Sequence, residues 1–192
     1  MAAGVQYSME AKFDKAKRAL AKLGIAFSGR KFLTLIGQDT LRWVDKNFKQ
    51  EGTEKKWKPM SKNTRAARRG GGGGARLLRD SGRLAQSFVS KVNLAATHVD
   101  VGSADKKAKW HHKGTRAYVI SPKNKKVLKF KVAAGFNFGS GAFKGGFAFA
   151  KRINHPGLAA RPLLPSDKLG ERIGVLAMSR FARNEIRKAR LG

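Results

Sequence analysis

Residues 155–165, which read HPGLAARPLLP, constrain the fold of this chain more than any other segment. Pro156 and Gly157 are typical of a turn, and Arg161 is biased towards extended backbone because a proline follows it. Pro165, followed by a serine and an aspartate, marks the start of a helix. The segment therefore predicts the end of a strand, a turn, and a short apolar crossing that leads into a helix.

That helix is predicted to run to the C-terminus and to be amphipathic. From Leu169 onwards, the apolar residues Ile173, Leu176, Ala177 and Phe181 recur at helical spacing, and most of the basic residues lie off that line. We therefore expect one face of the helix to dock on the rest of the protein.

A second apolar helix is predicted in the first quarter of the chain. Ser28 is a favourable N-cap, apolar residues from Phe32 to Phe48 cover one broad face, and Gly52 ends the segment. Residues 1–27, whose apolar stripe is thin, predict a separate peripheral helix. Residues 28–192 are then expected to form a single domain.

Alternating apolar and polar residues between these helices predict strands. One hairpin is expected in residues 88–93 and 97–101, a short helical or irregular segment in 105–112, a second hairpin in 117–121 and 126–132, and a further strand in 147–153. The predicted fold class is α+β, with N-terminal helices and a C-terminal helix packed on one mostly antiparallel sheet.

The charge of the chain is strongly basic. Its 42 lysines and arginines outnumber 12 aspartates and glutamates, which gives a formal net charge of +30 that is spread along the sequence. Such a charge attracts nucleic acid or acidic protein surfaces, and a basic solubilising surface is the simpler alternative. The sequence shows no signal-peptide pattern and no apolar run long enough to span a bilayer, so we expect a cytoplasmic product with no membrane partner.

Five consecutive glycines, residues 70–74, predict a mobile loop over about residues 65–76. A phosphate-binding loop is an alternative, but the Gly-Lys-Ser/Thr ending is missing. A solvated linker and an arginine-flanked loop that meets a nucleic-acid backbone both stay open. The candidates for contact with DNA or another anionic partner are Arg65, Arg68, Arg69, Arg76, Arg79, Lys106, Lys107 and Lys109.

Phenylalanines interleaved with glycine and lysine follow in residues 136–149. Aromatic rings in basic surroundings can stack on bases, but the same pattern also suits a half-buried strand and contact with a neighbouring subunit, which we favour. The candidates for a subunit interface are Arg161, Pro162, Leu163, Leu164, Phe143 and Phe147.

The sequence offers no recognisable active site. His111 and His112 have no nearby acid at metal-ligand spacing, the carboxylates are scattered, and the absence of cysteine excludes disulfides and thiolate chemistry. We therefore expect no metal, no cofactor and no enzymatic activity.

Five short motifs follow one another in a characteristic order. They are residues 57–61 (WKPMS) followed by Thr64, residues 77–84 (LLRDSGRL) with Ser87, residues 99–103 (VDVGS), residues 111–115 (HHKGT), and residues 155–157 (HPG) through 160–164 (ARPLL). In this order and with these gaps, the chain resembles the phage virion morphogenesis family, the tail completion or neck proteins of long-tailed bacteriophages. The resemblance covers about residues 40–192.

The resemblance implies a non-enzymatic virion protein, made in the host cytoplasm, that forms a homo-oligomeric ring, commonly six-fold, in the head-to-tail connector. Its implied partners are the portal or adaptor side, the tail tube or tail terminator proteins, and genome DNA, which passes through without sequence-specific contacts. The competing interpretation is a sequence-independent nucleic-acid-binding protein associated with ribosomes or the nucleoid. The net charge of this chain and its loop of arginine and glycine would be sufficient for nucleic-acid binding of that kind.

Overall fold

The computed structural model describes residues 4–10, 14, 18, 21–22, 24, 27–61, 64–65, 76–93, 98–132, 136–137, 142–143 and 146–191. The helices in these ranges are α1 (Gly29–Lys49), α2 (Arg83–Gln86), α3 (Lys106–Lys113) and α4 (Asp167–Leu191). The strands are β1 (Val5–Glu10), β2 (Phe88–Asn93), β3 (His98–Ser103), β4 (Tyr118–Ile120), β5 (Leu128–Val132), β6 (Phe136–Asn137), β7 (Ala142–Phe143), β8 (Gly146–Ala150) and β9 (Ile153–His155). Helices combined with antiparallel strands confirm the α+β class. None of the described helices combines the length and apolarity needed to cross a bilayer.

Helix α1 forms the centre of the protein, as the sequence predicts. The Ser28 hydroxyl accepts a hydrogen bond from the Lys31 N–H, which caps the first turn. Phe32, Leu33 and Phe48 are among the side chains of α1 that are almost completely buried. One face of α1 packs on β2 and β3, and the helix also packs against α4.

The main sheet has three antiparallel strands in the order β1-β3-β2. The predicted hairpin of β2 and β3 is confirmed. The predicted helix at the N-terminus is wrong for Val5–Glu10, which pairs with β3 from Val5 opposite Ser103 to Glu10 opposite His98. Val5 and Met9 are buried while Gln6 and Ser8 are exposed, so the period is two and β-pairing determines the structure there. Most of residues 11–26 lie outside the described ranges.

Helix α4 begins where the sequence predicts and closes the core. Ile173, Ala177 and Phe181 are buried on its inner face. The Phe181 ring meets the Phe27 and Phe32 rings edge-on, with centroids 5.4 and 5.9 Å apart. The prediction of a docked, amphipathic terminal helix is therefore confirmed.

The remaining strands form three two-stranded sheets, β4–β9, β5–β8 and β6–β7, whereas the sequence analysis expected one sheet. The predicted pairing of residues 117–121 with 126–132 is wrong, because β4 pairs with β9 and β5 with β8. The three pairs are nested, so residues 118–155 form one interrupted hairpin, which we call the arm. The turn composition of residues 122–125 suggested a local hairpin, but strand pairing here is between distant segments.

Candidate functional site

The segment that crosses from the arm to α4, residues 160–165, is held by side chains from three other parts of the chain. Asn47 Nδ2 and Trp57 Nε1 both donate hydrogen bonds to the Pro162 carbonyl, at 2.9 and 3.2 Å. The Arg161 guanidinium donates to the Lys58 carbonyl from Nη2 at 3.0 Å and from Nε at 3.3 Å. This crossing segment is therefore fixed to α1 and to the loop that follows it.

The crossing segment also carries the core residues Leu163 and Leu164, whose exposed fractions are 0% and 3%. Both were predicted at a subunit interface; in the single chain they are covered by its own core, and a role at an interface stays a prediction. Arg161 is buried as well, whereas Pro162 is exposed. The segment connects β9 to α4, as predicted, and its buried leucines stabilise the monomer.

His112 takes part in the same framework. Its Nδ1 accepts a hydrogen bond of 3.0 Å from the Leu163 N–H, so a neutral ring carries its proton on Nε2. Burial, with a smaller contribution from the charge of Lys113, lowers the pKa of His112 below its usual value. The Arg161 N–H donates to the His111 carbonyl at 2.7 Å. Both histidines therefore hold the crossing segment through these contacts.

Two glycines let the motif at residues 111–115 meet the motif at residues 155–158. Thr115 and Leu158 exchange backbone hydrogen bonds of 2.9 and 3.1 Å. Gly114 and Gly157 have φ angles of 74° and 84°, and a Cβ on either residue would lie within 2.6 Å of a backbone oxygen of the other segment. Glycine is required at both positions by conformation and by space.

Four of the five sequence motifs converge on one open groove of about 700 Å³, which we call the motif groove. The first motif contributes Lys58, Pro59, Met60, Ser61 and Thr64, the second Leu77 and Leu78, the fourth His111, and the last His155 to Ala159 together with Arg161. The motifs are apparent in the sequence, but their meeting around one groove is not. Asn47 was not among the predicted residues, although a polar residue directly before the apolar Phe48 on the buried face of a helix is a usable signal. Trp57 belongs to the first motif, but its hydrogen bond to the Pro162 carbonyl was not predicted.

The described lining of the motif groove is mostly apolar and basic. Its lining mixes apolar side chains such as Met60 and Leu158 with the basic Lys58, and no aspartate or glutamate is among the described residues that line it. Elsewhere in the described ranges, no group of three or more histidine, aspartate or glutamate side chains is placed to hold a metal ion.

The predicted basic residues of α3 face outward from a rigid helix. Asp105 caps α3 by accepting a hydrogen bond of 2.8 Å from the Lys107 N–H, and Ala108 is completely buried against the body. Lys106, Lys107 and Lys109 are exposed, and Trp110 beside them is 50% exposed. These residues form a surface that could contact an anionic partner.

The other predicted basic residues are not brought together with α3 by any contact that the structure shows. Arg65 and Arg76 are exposed and Arg79 is half-buried. Arg68, Arg69 and the five glycines lie outside the described ranges, so the predicted mobility of that loop stays a prediction.

The predicted interface residue Phe147 lies on the arm and is 54% exposed. Phe149, two residues further along β8, is 63% exposed, and the Lys129 ammonium lies 4.1 Å from the centroid of the Phe147 ring. Phe143 pairs with Phe136 through the backbone of β7 and β6, and its side chain is outside the described part. The arm thus carries an exposed aromatic and basic face.

Comparison with known proteins identifies the family. No curated protein and no solved structure matches the chain. Residues 11–173, which include every motif described above, match the model of the phage virion morphogenesis family. The chain belongs to the phage virion morphogenesis family.

Proposed function

We propose that the protein is a structural component of the head-to-tail connector of a tailed phage, where it forms part of the neck or tail completion ring. The convergence of four family motifs on one open groove is the observation that carries this proposal. The buried polar groups around that groove hold main chain in place, as expected where a rigid docking surface is needed. In a virion morphogenesis protein, such a surface suits a neighbouring connector component.

We infer that genome DNA passes close to α3. Its exposed lysines lie on a capped helix that is anchored by a buried alanine. Because the backbone is already ordered, little backbone conformational entropy is lost when these lysines contact a partner. Contacts from lysine to phosphate carry no sequence information and weaken as salt rises. This suits a duplex that must move through the connector rather than bind at one site.

The proposed oligomer is a ring, with six-fold symmetry as the expected order, between the portal or adaptor side and the tail tube or tail terminator. A net charge of +30 per copy opposes self-assembly when salt is low, where the screening length reaches about 30 Å at 0.01 M. We therefore expect the free protein to be monomeric at low ionic strength and to order into a ring on its partner.

A phage that lacks this gene tests the proposal. Complementation with the wild-type chain should restore joined particles, and Lys58→Glu should yield separate filled heads and tails, because it places a charge of the wrong sign in the motif groove. The Arg161 bond uses the Lys58 carbonyl, so the substitution leaves it intact. Lys46→Glu, at an exposed position on α1, is the matched control and should join normally. Normal tail joining without the gene would contradict the proposal.

The alternative is a sequence-independent nucleic-acid-binding protein, favoured by the exposed lysines and the half-exposed Trp110 of α3. Protein composition separates the two candidates. A connector component is present in purified, nuclease-treated virions at a fixed copy number, whereas a cellular nucleic-acid-binding protein stays with ribosomes or nucleoid and is absent from finished particles.

A further inference from the structure

We propose that the arm of one copy docks on an acidic groove at the start of α4 in the next copy and so joins the copies head to tail. This groove has a volume of about 300 Å³, and we call it acidic because Glu54 lines it and Asp167 and Glu171 follow on the adjoining turns of α4. Its lining also includes Trp43, Lys55, Trp57, Leu164 and Ser166. This inference names the contact between subunits of the proposed ring and rests on that proposed function.

The arm buries too few side chains to be stable on its own. None of the residues 118–129 and 146–155 is buried, and the strands of the arm pack mainly on each other. A two-stranded hairpin without a covered face is at best marginally stable in water. Its exposed apolar residues, with exposed fractions from 38% to 63%, are Tyr118, Val119, Val127, Phe147 and Phe149. A face of this kind is typical of a surface that another molecule covers.

One face of the arm combines aromatic rings with positive charge. In the β5–β8 register, Lys129 is opposite Phe149, and Phe147 lies two residues before Phe149 on β8, so these three side chains share a face of the ribbon. The Lys129 ammonium is 4.1 Å from one ring centroid and 5.9 Å from the other. A fitting partner offers apolar surface for the rings and carboxylates for the lysines.

The charge of the arm is entirely of one sign. Residues 106–166 contain no aspartate or glutamate, although they include fourteen lysines and arginines. An arm of this composition is repelled by most of a +30 surface and is attracted to the carboxylates of the chain where these cluster.

Such a cluster lies at the start of α4. Asp167 and Glu171 lie on the first two turns of α4, and their charges and that of Glu54 add to burial in raising the pKa of the nearby Tyr7 hydroxyl. Glu54 also accepts hydrogen bonds from the N–H and hydroxyl of Ser166. The groove beside these acids is lined by two tryptophan rings and Leu164, and its volume is sufficient for an aromatic side chain.

The motif groove is a poorer site for the arm. It is larger, but the described residues that line it include Lys58 and Arg161 and no carboxylate, whereas Glu54 offsets Lys55 in the acidic groove and two further carboxylates follow on α4. Because the arm and the acidic groove consist of different residues, their contact is heterologous. Such contacts close into rings when the rotation between copies permits.

Disulfide trapping tests the docking directly, because the chain has no cysteine of its own. Lys151→Cys places a thiol on the bend that follows β8, and Lys55→Cys places one at the acidic groove; both lysines are exposed. A mixture of the two single variants, oxidised at high protein concentration, should give a two-chain species that contains one copy of each. The double variant should give a ladder of longer oligomers.

A matched pair of apolar substitutions gives the control. Phe149→Ser in the double-cysteine chain should reduce trapping at least tenfold. Val89 is 64% exposed and Phe149 is 63% exposed, so Val89→Ser is the matched control and should leave trapping unchanged. Glu171→Lys should likewise reduce trapping, and Asp45→Lys, with the same change of charge on α1, should not.

Three outcomes would overturn the docking. The first is no disulfide trapping in either purified protein or assembled particles, and the second is disulfide formation between two copies of the same single variant. The third is an equal loss of trapping with the control substitutions Val89→Ser and Asp45→Lys. If the arm instead contacts nucleic acid, trapping fails and Phe149→Ser weakens binding to a single-stranded oligonucleotide. A trapped oligomer from a protein that is absent from virions would contradict the connector role and leave the docking intact.

Discussion

The crossing segment and the arm both come from the basic stretch between α3 and α4, yet they are stabilised in opposite ways. Around the crossing segment, buried side chains from α1 and α3 satisfy the main chain, and Leu163 and Leu164 lie in the core. The arm pairs with itself and leaves Phe147 and Phe149 in solvent. The contrast shows that one segment completes the monomer while the other has a surface available for a neighbour.

The largest effect is expected where a charge enters the core beneath the crossing segment. Leu164→Asp should lower the free energy of unfolding by about 3–5 kcal/mol, because an unpaired carboxylate is costly in a dry site. Phe149→Asp on the arm should change it by less than about 0.5 kcal/mol. Urea denaturation measures both values, and comparable losses would remove the distinction between the two regions.

A smaller loss is expected when the clamp on Pro162 is removed. Asn47 is 2% exposed, donates to the Pro162 carbonyl and accepts from the Thr53 N–H. Asn47→Leu should cost about 1–3 kcal/mol, since it leaves a buried N–H unpaired. Gln38→Leu, at an exposed position on the same helix, should be close to neutral in the same denaturation experiment. A neutral Asn47→Leu would show that packing alone holds the segment.

Acid should weaken the crossing segment through His112. The folded state lowers its pKa, so below the unfolded value of about 6.5 the unfolded chain binds more protons. Stability is complete above that pH and falls by up to about 1.4 kcal/mol per pH unit until the folded pKa is passed. His112→Asn, which keeps an acceptor near the position of Nδ1, should flatten this part of the stability-against-pH curve. An unchanged curve would exclude His112 as the titrating group.

The smallest effect on the stability of the fold is expected at α3, because its lysines are exposed to solvent. Replacing Lys106, Lys107 and Lys109 with glutamine should leave the melting temperature unchanged and reduce the salt dependence of DNA binding. Each lost phosphate contact lowers the slope of log affinity against log salt by about 0.9. Fluorescence titrations with two unrelated duplexes of equal length check this, and an unaltered slope would place the DNA contact elsewhere.

Local signals in the sequence predicted the helices well. Each signal depends on residues within one or two turns of helix, as for Ser28, the apolar face of α1 and the proline before α4. Pairing between distant segments was harder to predict. The turn-like residues 122–125 suggested a hairpin, but the nested arm depends on strands that lie far apart in sequence. At the N-terminus, the thin apolar stripe predicted a helix, but pairing with β3 places Met9 in a strand.

The residues of the functional surfaces could be predicted from the sequence, but their positions in the fold could not. Composition indicated exposed lysines on α3, and the structure agrees. Arg161 and the two leucines after it were interpreted as interface residues because sequence does not distinguish an apolar segment that covers its own core from one that covers a neighbour. Their burial shows that they cover the core of their own chain.

Hydrogen exchange tests the contrast between the crossing segment and the arm most directly. We expect the amides of α1, α4 and residues 160–165 to be strongly protected in the free protein, while those of β5 and β8 exchange quickly. In the oligomer trapped through Lys55→Cys and Lys151→Cys, the protection of β5 and β8 should rise at least tenfold and that of α1 should not change. Strong protection of β5 and β8 in the free monomer, or no gain on joining, would contradict the assignment of the arm to a neighbouring copy.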